Sequence, residues 1–355
     1  TPDAPERLVL DSLGIRLGDA PESLAIGRLT RADNDLLVIA GADDRGTMYA
    51  ALDTADRIRH AKNAKDPFVE VRDVTESPRI AERAVSLYTM QRAYWEGRFY
   101  DEAYWDRYFD LLARSRINSF VLIFGYENGG FLAPPYPYFF DLEAFPGVRM
   151  LDITPEQQAR NLAALNRVLE LAHHHAIDVT LGIWDHIYRG AVQAGGIEWA
   201  DQYAGRPLPS TVVGLDAENL RAYTIAALEN FLDLVPALDG LQFRLHWESG
   251  IQAEELDAFW GDVFRTVHGK NPGLRIDARA KGLPDSVIDA ALGMGVPLRI
   301  TTKYWMEQMG LPFHPMHVNP QNQQDRRHGY ADLLRYPKRY DMHWRLWNGG
   351  TSRVF

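Results

Sequence analysis

Cysteine is absent from all 355 residues, which excludes disulfides, thiolate metal centres and a cysteine nucleophile. No run of about eighteen apolar residues occurs, so no segment reads as a membrane-spanning helix. Basic charge is the minority sign. Against 48 Asp and Glu stand 38 Lys and Arg, a formal net charge of −10. That balance disfavours a polyanionic nucleic acid as partner, and Arg326-Arg327 and Lys338-Arg339 are only short basic pairs. A phosphate-cradling glycine loop is also missing, because Gly125 to Gly130 has neither a helix start nor a lysine in the required place. Localisation is left open between cytoplasm and export.

What is present is an alternation of strand and helix periods. With 46% hydrophobic residues the chain can bury a large core, and its length fits two domains or one barrel with a small appendage. Residues 1–77 read as a small α+β domain. Ser23 to Ile26 and Asp35 to Ala40 form two strands around an Asp33-Asn34 turn, a helix opens at Asp44, and Phe68 to Val74 is a further strand. Nothing in this part looks catalytic.

Pro78 opens the second region, 78–355, in which strands and helices alternate as in a (β/α)8 TIM barrel. The expected strands are Arg83–Tyr88, Asn118–Phe124, Ile177–Trp184, Leu241–Trp247, Leu274–Asp277, Pro297–Thr302 and Tyr340–Trp347. Asp101 is a candidate N-cap for the helix carrying Trp105, Phe109 and Leu112, and Asp216 for another. Thr154-Pro155-Glu156-Gln157 has the spacing of a capping box. Seven strands are counted where a closed barrel needs eight, so the chain is expected to stop short of the last barrel strand.

In such barrels the active site lies at the C-terminal strand ends. There the sequence places Glu127 and Asn128, then Asp185 and His186, then His246, Trp247 and Glu248 with Arg244 just before them. Asp277 and Arg279 follow the fifth strand, Lys303, Tyr304 and Glu307 the sixth, and Asn348 the seventh. Recurring carboxylates beside aromatics and amides suit a sugar, whose hydroxyls need polar partners and whose C–H faces pack on rings. Tyr94, Trp95, Phe99 and Tyr100 are placed in a loop, where core or lid packing is favoured over substrate contact. His173-His174-His175 point in different directions on a helix, and His314 and His317 lack carboxylate partners, so no metal site and no cofactor is assigned.

Several of these motifs resemble one enzyme family. Leu111-Leu-Ala-Arg-Ser-Arg-Ile-Asn118 before an apolar strand is similar to the second barrel unit of the α-glucuronidases of glycoside hydrolase family 67. Gly240-Leu-Gln-Phe-Arg-Leu-His-Trp-Glu-Ser-Gly250 resembles the strand bearing that family's general acid, which implies this role for Glu248. Gly273 to Arg279 resembles the next strand, and Leu298 to Gln308 the segment bearing one base carboxylate, which implies Glu307. Gly41-Ala-Asp-Asp-Arg-Gly46 is similar to the small domain before the barrel in these enzymes and in family 20 hexosaminidases. The strand-seven stretch Leu346-Trp-Asn-Gly349 departs from the family, which carries its second base carboxylate there.

The resulting expectation is an exo-acting glycoside hydrolase on a carbohydrate, with uronic-acid-containing substrates foremost. Glu248 is the acid and Glu307 the base, with Asp185 or Asp277 as substitutes, while Arg244, His246, Lys303 and Asn348 orient the substrate. Two alternatives stay open. One is an inactive carbohydrate-binding barrel, and the other is a polysaccharide lyase using Lys303 or Tyr304.

Overall fold

The computed structural model describes residues 5–31, 34–89, 92–124, 134–151, 153–184, 212–216, 218–244, 251, 253–280 and 284–302. In chain order the first elements are α1 (Pro5–Ser12), β1 (Leu24–Arg31), β2 (Asn34–Gly41), α2 (Asp44–Arg59), β3 (Val74–Glu76), β4 (Ala84–Thr89), α3 (Arg92–Phe99), α4 (Glu102–Arg114) and β5 (Ser119–Phe124). They are followed by β6 (Arg149–Met150), α5 (Pro155–His174), β7 (Asp178–Trp184), β8 (Val212–Val213) and α6 (Leu220–Leu234). The last are β9 (Gly240–Arg244), α7 (Leu256–Lys270), β10 (Arg275–Ala280), α8 (Asp285–Gly293) and β11 (Leu298–Thr302). The expected seventh strand at Tyr340–Trp347 lies outside the described residues.

Contacts divide the chain into two compact units, one of residues 1–85, 106–119 and 174–177 and the other of the remainder. In the first, β1 pairs antiparallel with both β2 and β3. Leu24, Ile26, Tyr49, Ala50 and Val71 form its buried core. Asp43 caps α2 by accepting from the Gly46 amide at 2.7 Å. Gly46 leaves no room for a side chain, since a Cβ there would lie 2.4 Å from the Ser23 carbonyl oxygen. The strand expected over Phe68–Val74 is corrected. Residues Pro67–Glu70 form a 3-10 turn, set by Pro67 and by Asp66 accepting from the Phe68 amide, and only Val74–Glu76 is strand.

The second unit is an α/β layer structure around a six-stranded parallel sheet of order β11-β10-β9-β7-β5-β4. Each connection between neighbouring strands carries at least one helix, as parallel pairing requires. Every residue of β5 is buried. Trp105 of α4 meets Phe120 at 5.9 Å between ring centroids, and Trp260 of α7 meets Phe243 at 5.5 Å. Each such ring contributes about 1.5–3 kcal/mol by leaving water.

The local start signals act as their chemistry dictates. Asp101 accepts from the Tyr104 amide at 3.0 Å. Thr154 and Gln157 exchange hydrogen bonds, Gln157 N donating to Thr154 Oγ1 at 3.3 Å and Thr154 N to Gln157 Oε1 at 2.9 Å. Asp216 accepts from the amides of Glu218 and Asn219, and α6 starts only at Leu220. β10 runs three residues beyond Asp277, and α8, which the sequence reading passed over, fills the connection to β11.

Candidate functional site

Parallel strands deliver their C-terminal ends to one edge of the sheet, so β5, β7, β9, β10 and β11 open toward a common rim. Arg244 closes β9, Trp184 closes β7 immediately before Asp185, and Thr302 closes β11 immediately before Lys303. Glu127, Asn128, Asp185, His186, His246, Trp247, Glu248, Lys303, Tyr304, Glu307 and Asn348 lie outside the described residues.

Asp277 and Arg279 lie within β10 rather than after it. Asp277 has no exposed surface. Its register partners are Gln242 on β9 and Arg299 on β11, and Gln242 pairs in turn with Gly182 on β7. Partners in a parallel register share a face. The opposite face is the helix-packed one, because Phe243 contacts Trp260 there.

The two faces differ sharply in chemistry. On the helix side stand Leu181, Ile183, Leu241, Phe243, Ile276, Ala278 and Ile300, all buried. On the other stand Thr180, Gln242, Asp277 and Thr301, each at most 1% exposed, with Arg275 and Arg299. Arg275 Nη2 donates to Thr180 Oγ1 at 2.5 Å across Gly240. A Cβ on Gly240 would come within 2.9 Å of that hydroxyl, so only glycine leaves the bond in place. Parallel sheets buried on both faces ordinarily carry near-continuous apolar runs. A polar face on a buried parallel sheet breaks that rule, and such breaks concentrate at functional sites.

The rim next to β4 and β5 is built differently from the loop expected there. Arg92–Phe99 is helical, and Trp95 and Phe99 are 7% and 3% exposed. Phe99 packs edge-on against Phe124, the last residue of β5, at 5.7 Å. Tyr138 donates to Glu96 at 3.0 Å, Tyr100 to Asn161 at 2.5 Å, and Arg160 stacks 3.7 Å from the Tyr100 ring centre. Burial pushes the Tyr100 phenol above its ordinary range. Farther along the rim, β6 pairs with β8, joining the connections after β5 and β7.

Sequence reasoning missed Gln242, Arg299 and Thr301 as neighbours of Asp277. The signal was available in the two-residue period of β9, β10 and β11, but pairing those periods needs the register. Among the described residues no three potential metal ligands come together. His173 Nε2 instead lies 2.7 Å from Asp239, and His175 Nε2 lies 2.9 Å from Asp106. No described helix is long and apolar enough to cross a membrane.

No protein-family description and no curated protein matches this sequence. Solved structures do. A glycoside hydrolase family 138 enzyme targeting pectin rhamnogalacturonan II superposes with a TM-score of 0.59 at 18% identity, over 82% of this chain and 33% of that one. A β-N-acetylhexosaminidase gives 0.47 at 13% identity over 82% of this chain and 72% of its own. The family 20 exo-β-N-acetylglucosaminidase of Vibrio harveyi gives 0.47 at 12% identity over 81% and 47%. This chain spans about a third of the length of the family 138 structure. The likeness to the family 138 structure is one of fold.

Proposed function

We propose that the protein is a glycoside hydrolase in which residues 78–355 belong to a (β/α)8 barrel behind a small α+β domain of residues 1–77. The observation that carries this reading is the polar sheet face around Asp277, Gln242 and Thr301. It leads to the edge after which Glu248, Asp185 and Glu307 follow in the chain. The fold shared with the family 138 enzyme supports it.

Hydrolysis of a glycosidic bond needs a carboxylic acid to protonate the leaving oxygen and a carboxylate to act at the anomeric carbon. Glu248 takes the first role and Glu307 the second, with Asp185 as its substitute. Arg244, His246, Lys303 and Asn348 orient the sugar, and Trp247, Tyr304, Arg279, Glu127, Asn128 and His186 complete the rim. The action is exo, on a uronic-acid-containing carbohydrate. The α-glucuronidase-like wording of Gly240 to Gly250 supports that substrate, and the family 138 likeness adds pectic oligosaccharides to it.

The test is a screen of aryl-glycosides, uronic-acid oligosaccharides and pectic oligosaccharides. Release of a terminal sugar is expected. Ultraviolet-absorbing unsaturated products would instead establish a lyase, and sugar binding without turnover an inactive barrel.

A further inference from the structure

The net charge of −10 hides one stretch of the opposite sign. Arg57-Ile-Arg-His-Ala-Lys-Asn-Ala-Lys65 carries four cationic side chains and no acidic one. It begins in the last turn of α2 and runs along the connection to the 3-10 turn Pro67–Glu70, after which Val71 returns the chain to the core of the first unit. Arg59, Lys62 and Lys65 are exposed. Four acids of the surrounding chain are matched to other cations: Asp53 to Arg57 at 2.8 Å, Asp56 to Arg114 at 2.6 Å, and Asp35 and Asp66 to Arg28 at 3.3 and 3.9 Å. Among the described residues no ion pair takes up Arg59, Lys62 or Lys65. The helix end accounts for only part of this. Cations in the last turn offset the negative end of the helix dipole, an effect that fades within that turn. Arg57 and Arg59 fit that role, whereas Lys62 and Lys65 lie beyond the helix, in a bend where the Lys65 amide donates to Asn63 Oδ1 at 3.1 Å. Phe68 and Val69 follow at once and are 43% and 48% exposed. A ring left in water beside cations without acidic partners suits a sugar acid, whose C–H faces pack on the ring and whose carboxylate takes the charge.

We propose that residues 59–69 are a docking surface for an anionic polysaccharide, a chain of uronic acid residues, separate from the residues assigned to catalysis. The identity of the polymer rests on the reading of the protein as a hydrolase of uronic-acid-containing carbohydrate. One exposed ion pair contributes little, so a free sugar acid gains little here. A polymer carries carboxylates on successive residues and engages Arg59, Lys62 and Lys65 together, each later contact forming at high effective concentration. A DNA duplex or an anionic membrane spreads its charge over a broad face, which would also meet the acidic remainder of this chain. A single polysaccharide strand can follow the segment alone.

The test titrates the full chain with polygalacturonate and with its fully methyl-esterified form, which keeps the backbone and removes the charge. Binding of the first and not of the second is expected, weakening as salt rises because exposed charges are screened. Arg59→Gln, Lys62→Gln and Lys65→Gln combined should lower the affinity about tenfold. All three side chains are exposed, so the melting temperature should change little. Lys62→Gln with Lys65→Gln, both outside the helix, repeats the measurement if the triple variant is destabilised. Absent binding, equal affinity for the two polymers, or unchanged affinity in the variants overturns the proposal. So does equally tight binding of a DNA duplex or of phosphatidylserine vesicles.

Turnover separates this surface from the hydrolase reading. The triple variant should cleave a small aryl glycoside at the unaltered rate and lose rate only on the polymer. An equal loss on both substrates would place the effect in the catalytic site and overturn the docking role. A chain that turns over no glycoside, yet binds polygalacturonate through Arg59, Lys62 and Lys65, retires the hydrolase reading and keeps the docking surface.

Discussion

Arg83 and Glu22 are joined through Nη2 and Oε2, and almost nothing about the join is exposed: the Glu22 side chain is 6% accessible and that of Arg83 19%. Glu22 Oε1 also accepts from Asn118 Nδ2 at 2.7 Å and from Arg45 Nη1 at 3.1 Å. Arg83 Nε donates to the Arg116 carbonyl at 2.6 Å and Nη1 to that of Ile80 at 2.7 Å. The backbone of Glu22 sits at φ 62°, a left-handed conformation that costs a non-glycine residue about 1 kcal/mol. The ring of donors outweighs that cost.

Removing one partner should therefore be expensive. Glu22→Gln leaves Arg83 and Arg45 without their shared counter-charge, and a loss of about 3 kcal/mol is expected. Urea unfolding measures it. A change below about 1 kcal/mol would mean that water replaces the carboxylate at no great cost.

The start of α5 offers a smaller and cleaner case. Thr154→Ala removes the hydroxyl that accepts from the Gln157 amide, and about 1 kcal/mol of stability should go with it. Thr154→Asp should retain most of it. Equal losses in both variants would show that the side-chain cap contributes nothing.

The His173–Asp239 pair predicts a pH dependence. The hydrogen bond that His173 Nε2–H donates to Asp239 is the main cause holding the His173 imidazolium above its ordinary range, with partial burial opposing it. Asp239 is itself placed by the Val179 amide at 2.7 Å. A pKa raised by folding contributes stability that is complete below the unfolded value of about 6.5 and fades as pH rises through the folded value. Both side chains are about a third exposed, 37% and 32%, so solvent screening leaves about 0.5 kcal/mol. His173→Gln should thus destabilise more at about pH 5 than at about pH 8. A loss independent of pH would remove the charged pair as its cause.

Under the proposed chemistry, Glu248→Gln should lower turnover of natural linkages by about 10²–10⁴-fold. Activated aryl glycosides, whose leaving groups need little protonation, should recover part of that. Equal losses on both substrate types would take Glu248 out of the acid's role.

Glu248 and Glu307 follow β9 and β11, two strands separated by β10 in the sheet order. That separation favours an inverting mechanism, which holds its carboxyl groups about 6.5–9.5 Å apart where a retaining one needs about 5–5.5 Å. Proton NMR of the first-formed sugar should show the opposite anomer to the substrate. Retention would assign a nearer carboxylate as nucleophile.

The amino-acid sequence by itself determined the features whose causes are local. Strand periods located β5, β7 and β11 to within a residue and the start of β9 likewise, while the expected end of β9 at Trp247 lies outside the described residues; Asp101 and the Thr154–Gln157 box announced their helices through contacts three residues apart. Where two local signals competed, the reading failed: Pro67 and Asp66 turned an apolar stretch into a 3-10 turn, and the aromatic run before Asp101 coiled into α3 once Trp95 and Phe99 could be buried. Only the tertiary structure decided what depends on register and long-range pairing. Asn118 finds Glu22 96 positions away, and Arg275 finds Thr180 95 positions away. Asp277 looked like a strand-end residue, yet the pairing of β10 with β9 and β11 seals it inside the sheet. Burial is a property of neighbours, and neighbours on adjacent strands are separated in the chain by whole helices.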